Sequence, residues 1–511
     1  MFTRPWRVTV LAAAAALALT LTGCQSAVQQ QEASPSASPV EGGTLQVAQA
    51  GDLQPRNVLA ARAGNTSWAS NVFETLTSYD AQMKPQPLLA TDWRVADDSM
   101  SIDITLRDDV TFHTGRKMTA DDVKFSFEAA ADPQYSAQVG YIARSFQSID
   151  VTSATELVVN FTAPTPNIFD FFEQIYILDS ETVAGLADGS QVIGTGPFVF
   201  ESWTPGSEAT LVRNDAYWGD KPYLDGIDIA VISDSTAMLN AVRSDRSQIA
   251  LSMSPVDVKS LSANPSFTIV RTAGGAYPLG VDVTRAPFDK KEPRQALQYA
   301  IDRQRIADQV FGDAGIVTDL FWDEATPGYP ADLATHYTYD PDKARKMLAD
   351  SGAAGAAVEV TVIGLPQNTG LAEIVRNNLE EVGLQPTIVV QDAQTWDKNQ
   401  VAGELGQAFL PVHGLYSLGP ATLLNTLPSL REGNPSKFWP EEYVALRKAV
   451  TTATADTYDD ALHELTAYIL DEAFTGVIVQ AAGQAVQSTS VHGAEYSSRA
   501  YLEAGAAFLA D

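Results

Sequence analysis

Val358, Val360 and Val362 alternate with Glu359 and Thr361, and Leu371, Ile374, Val375, Leu379 and Val382 then recur at helical spacing up to Gly383. Thr387 to Val390 is a second β-rich run. A hydrophobic period that switches from two to 3.6 and back across short links predicts strand, helix and strand in a parallel α/β layer. At 511 residues the chain is longer than one core serves, so two or three domains are expected.

Other segments carry local signals of equal clarity. Ile102, Ile104 and Leu106 alternate with Asp103, Thr105 and Arg107, and Val110 and Phe112 resume that face. Thr119 with Asp122 three positions on is a capping-box pattern, with Met118 and Val123 placed as a hydrophobic staple. Ile149 to Phe161 reads as a hairpin turning at Thr152 to Thr155. Thr165 and Pro166 are expected to cap and open a helix with Ile168, Phe169, Phe172 and Ile175 on its core side. Val72, Phe73 and Leu76 also recur as a helix would place them. Gly194-Thr195-Gly196-Pro197-Phe198 marks a tight backbone excursion rather than a phosphate cradle, because no Gly-Lys-Ser follows.

Charge excludes some functions. With 63 acidic against 33 basic residues the formal net charge is -30, which repels nucleic acid and anionic membrane surfaces. Cys24 is the single cysteine, so no internal disulfide and no thiolate metal cluster can form. Arg4 and Arg7 precede an apolar run from Val8 to Leu21, too short to span a bilayer but suited to an export signal. Leu21-Thr22-Gly23-Cys24 resembles the bacterial lipobox, which implies removal of residues 1–23 and a lipid on Cys24. Residues 24–41, rich in Gln, Ser, Ala and Pro, read as a solvated tether.

"LRDDVTFHTGRKMTADDVKFSFE", "GTGPF", "LVRNDAYWGDKPYLDGIDIAVISD" and "APFDKKEPRQALQYAIDRQRIADQVFGDAG" together resemble the family 5 extracellular solute-binding proteins, receptors of ABC importers. The resemblance extends over nearly everything from Gly42 onward, more weakly between Leu405 and Pro440. It implies an α/β, bilobal, periplasmic-binding-protein-like fold with a smaller inserted domain. Lobe I would comprise 42–78, 190–277 and 474–511, the insert 79–189, and lobe II 278–473, with the lobes crossing at Gly274-Gly275 and a strand restarting at Val281. It further implies a monomer that delivers a peptide or similar solute to a permease and ATPase complex.

No Gly-x-Ser-x-Gly, His-Glu-x-x-His, Cys-x-x-Cys or Walker pattern is present, so neither an enzyme, a resident metal nor a cofactor is indicated. Peptide-binding members of the family carry an aspartate after a tryptophan in the lobe II cleft loop; here Ala408 to Pro420 contains no acid. In that loop His413 and Tyr416 are candidate ligand contacts, as readable as ordinary loop residues. Trp68, Tyr277, Trp322 and Trp396 are aromatic cleft candidates, since aromatic side chains line most small-molecule pockets, though they also cap cores. Arg271 and Arg285 are candidate partners for a carboxylate. A chelated metal or a sugar remains open as the solute, and an extracytoplasmic hydrolase or an adhesion protein as the function.

Overall fold

The structure, a computed structural model, describes residues 38–60, 62–415 and 418–510. The export signal and Cys24 lie outside them, as do Tyr416 and all of the tether before Ser38.

A twelve-stranded sheet organises the molecule. It begins with Gln385–Gln391 beside Ala357–Ile363, parallel and connected by the helix Pro366–Glu381. Val358, Val360 and Val362 are buried while Glu359 is exposed, and Leu371, Val375 and Leu379 of the helix pack on them. This is the parallel layer that the periodicity predicts. Ala408–Leu410 follows, and then the long strands Phe267–Val281 and Thr475–Ser488. Beyond these lie Ile249–Leu251, Thr44–Gln49, Gly226–Val231, Glu208–Arg213 and Phe198–Thr204.

The two long strands pair antiparallel from Phe267↔Ser488 to Gly280↔Thr475, joining the two ends of the sheet. The strand expected to restart at Val281 instead ends there. One strand runs through both glycines, and a register shift between Thr272 and Gly275 makes a bulge there. Glycine is required by close approach: a Cβ on Gly274 would stand 1.8 Å from the Ala481 carbonyl oxygen.

A separate four-stranded antiparallel sheet has the order Ala90–Val95, Ser101–Leu106, Glu156–Phe161, Phe146–Ser153. Against it packs the helix Ala120–Ala131, whose Phe127 ring lies 4.8 Å from Phe171 and 5.6 Å from Phe172. At its start the Asp122 carboxylate accepts the Thr119 N–H at 3.0 Å, as the capping pattern predicts, and also binds Arg116 at 2.6 Å. The next expected helix starts later, at Ile168–Gln174, because the Thr165 hydroxyl donates to Ala163 O and leaves the helix end uncapped. Val72, Phe73 and Leu76 are also corrected. Only Ala69–Val72 is helical; Phe73 reaches the core from extended backbone and Leu76 from a bend.

The Gly-Thr-Gly excursion passes against that extended segment. A Cβ on Gly194 would lie 1.9 Å from Val72 O, and the Thr195 hydroxyl donates to Glu74 at 2.8 Å. Tyr217 and Trp218 complete the cage around the Glu74 carboxylate at 2.7 and 2.8 Å. One contiguous apolar core extends from Leu45 through Trp68 and Phe127 to Leu502. Separate cores surround Val360 and Trp322. The chain end packs back on the core of Leu45 and Trp68, with Leu502 N–H donating to Thr66 O at 2.7 Å.

Candidate functional site

A hollow of about 330 Å³ opens where the long strands pass their bulge. Its floor is Thr272 to Gly275 and Tyr277 on one strand and Ala481 to Ala485 on the other. One wall comes from Arg62, Thr66, Ser252 and the turn Arg499 to Tyr501; the opposite wall comes from Phe311, Ala314 and Gln367. Bulges are common beside binding sites because they re-aim backbone and side chains out of the ladder.

Among the described residues, Tyr277 is the one sequence candidate that lines this hollow. Its ring stands 4.6 Å from Phe311, and Gln367 lines the hollow with it. Burial holds that phenol above its ordinary pKa, so it meets a solute as a neutral donor or acceptor.

His413 sits on the neighbouring short strand His413–Gly414. It pairs with Ala276 across the strands, and its Nε2 lies 2.7 Å from the Ser429 hydroxyl. Burial, with Arg431 nearby, pushes the imidazole down to about 4, so it is neutral near pH 7. Its partner is a protein group rather than the hollow.

The three tryptophans are corrected to core positions. Trp68 is 0% exposed, with its indole N–H on Asn65 Oδ1 at 3.1 Å and Phe200 edge-on at 5.4 Å. Trp322 donates to the Thr466 hydroxyl at 2.8 Å inside the helical core. Trp396 forms a small cluster with Leu405 and Phe409. Each satisfies its N–H or buries its ring away from the hollow, as buried indoles do. The arginines are elsewhere too: Arg271 donates to Asp313 O, and Arg285 lies 3.5 Å from Asp282.

Two arginines that the sequence reading passed over, Arg62 and Arg499, line the hollow instead. Arg499 is held among Tyr176 and Tyr501, 4.7 and 4.8 Å from their rings, and donates to Gln174 O at 3.0 Å. Its Nε is 3.5 Å from Glu173, whose carboxyl burial raises to about 7 against the opposing pull of Arg499. Among the described residues no group of three or more His, Cys, Asp or Glu side chains is placed to hold a metal ion. Among the described residues no nucleophile and base converge on the hollow; its walls offer shape, backbone groups, hydroxyls and amides, the equipment of a binding site.

Comparison with known proteins agrees. A family model described as bacterial extracellular solute-binding proteins, family 5 Middle, matches residues 84–433. The chain is 28% identical over 385 residues to di/tripeptide-binding protein 1 of Pseudomonas aeruginosa, covering 66% of this chain and 69% of that one. It is 26% identical over 355 residues to heme-binding protein A of Haemophilus influenzae, covering 63% and 64%. The chain thus spans about two thirds of the length of these relatives. The structure of the ABC transporter substrate binding protein CtaP from Listeria monocytogenes superimposes with a TM-score of 0.83 at 19% identity, covering 92% of this chain and 100% of that one. The likeness to that structure is one of α/β fold. With residues 84–433 of 511 matched, the chain belongs to the family 5 bacterial extracellular solute-binding proteins.

Proposed function

We propose that the protein is the solute receptor of an ABC importer, capturing a peptide or similar organic solute in the hollow and delivering it to a permease. The observation that carries this reading is the placement of the hollow on the paired strands Phe267–Val281 and Thr475–Ser488, the span that joins the two ends of the large sheet. In this reading 42–78, 190–277 and 474–511 form one lobe, 278–473 the other, and 79–189 an inserted domain. A solute touching both walls favours the closed arrangement because only there does it gain both sets of contacts. The receptor is exported, is held at the outer face of the cytoplasmic membrane by a lipid on Cys24, acts as a monomer and catalyses no reaction.

The test is to purify the chain from Gln25 onward, identify co-purifying solutes by native mass spectrometry and measure their binding by calorimetry. One solute bound per chain, saturably, is the expected result. Turnover of a chromogenic hydrolase substrate without saturable binding of any solute would overturn the reading. For the anchor, Cys24→Ala should move the protein from the membrane fraction to the soluble one.

A further inference from the structure

We infer that the hollow selects a small solute bearing an acidic group and no ammonium group, an inference that rests on the receptor reading. Among the described residues its lining contains two guanidinium groups and no carboxylate. These two cations differ in what they have left to give. Arg499 is buried, and its charge is answered by Glu173 and the Gln174 carbonyl. Arg62 is exposed at the rim of the hollow and has no ion pair among the described residues. One uncompensated positive group therefore stands at a site whose other polar side chains, Thr66, Ser252, Thr272, Gln367 and Gln484, are neutral.

The setting sharpens the preference. The chain as a whole carries -30, so a cleft free of acids is not what composition would produce by chance placement. A guanidinium offers an acidic group two parallel donors in a fixed fork, which neutral walls then align without competing charge. An ammonium group in the same space would meet a like charge and find no carboxylate, losing its water without replacement. The acids nearby are already engaged. Glu173 and Glu503 act on Arg499, and Asp170 is bonded to Thr422 and Gly419. At about 330 Å³ the hollow is at the small end of ligand sites, which suits a solute of sugar-acid or blocked-dipeptide size rather than a long peptide.

The experiment is a thermal-shift and calorimetry series on the chain from Gln25 onward. The probes are gluconate, glucuronate, N-acetyl-alanyl-alanine, alanyl-alanine, alanyl-alaninamide and putrescine, each measured on the unaltered protein and on Arg62→Gln. The expected result is saturable binding confined to the anionic, ammonium-free probes, at least tenfold tighter than for their ammonium-bearing counterparts, with Arg62→Gln erasing the difference. Equal or tighter binding of alanyl-alaninamide or putrescine would overturn the charge inference and leave the receptor reading standing. So would a preference for the anions that survives Arg62→Gln. Absence of saturable binding by every probe, and of any co-purified solute, would count against the receptor reading itself.

Discussion

Asp170, in the helix Ile168–Gln174, accepts a hydrogen bond from the Thr422 hydroxyl across 252 positions of sequence. The same carboxylate takes the Gly419 N–H at 3.0 Å and the Tyr79 hydroxyl at 2.9 Å, while Asn167 donates to Thr422 at 2.8 Å. Among the described residues no cation faces it, and burial raises its pKa to about 6 although these donors pull the other way. The seam ties the segment read as the inserted domain to the segment read as lobe II. It is a polar joint sealed from water, and its members depend on one another.

Asp170→Ala leaves the Gly419 N–H and the Thr422 and Tyr79 hydroxyls without their acceptor inside the seam. The expected loss is about 3 kcal/mol, read as a lower urea midpoint, with Asp170→Asn losing less because one acceptor oxygen remains. A midpoint unchanged in Asp170→Ala would show that the seam contributes nothing to the folded state.

Glu74 predicts a pH dependence. Burial raises its carboxyl from 4.5 to about 7, so the folded chain holds a proton that the unfolded chain has released. Its favourable contribution is complete below about pH 4.5 and is lost as pH rises through about 7. The size is on the order of 3 kcal/mol for one such group. Urea midpoints measured from pH 4.5 to 8 should fall with rising pH, and Glu74→Gln should flatten part of that slope; an identical slope in the variant would assign it to other groups.

Trp68→Phe and Tyr277→Ala separate core from site. Trp68→Phe removes the donor to Asn65 and part of a buried ring, so stability should drop by about 1–2 kcal/mol with solute affinity intact. Tyr277→Ala removes a face of the hollow and should weaken binding of the co-purified solute roughly tenfold or more. Calorimetry and denaturation on both variants check the crossing pattern. An affinity loss in Trp68→Phe at unchanged stability would return that indole to the site.

Gly274→Ala would push a methyl group into the Ala481 carbonyl at the bulge. Overpacking of this kind costs about 1–3 kcal/mol or more, and here the damage falls on the floor of the hollow. Both the urea midpoint and the solute affinity should decline together. Loss of one alone would mean that the bulge and the hollow are independent.

Local chemistry was readable wherever the partners lie close in sequence. The valine alternation from Val358, the helix to Gly383 and the Thr119–Asp122 cap all depend on neighbours within a turn or a pleat, and the structure repeats them. Thr165 misled because Asn167 and a turn precede the helix, a competition between local hydrogen bonds that composition does not settle. Tyr277 was legible as an aromatic beside paired glycines. Trp322 was not, because its indole partner Thr466 lies 144 positions away.

The parallel layer, the acidic net charge and the family were determined by sequence alone, since periodicity, charge and motif are properties of a run of residues. Tertiary structure alone decided that Gly274 lies at a bulge in one continuous strand, that Arg62 faces a hollow, and that Asp170 faces Thr422. The reason is physical. Whether a side chain meets solvent, solute or core depends on what packs against it, and here those neighbours arrive from strands and helices hundreds of residues apart.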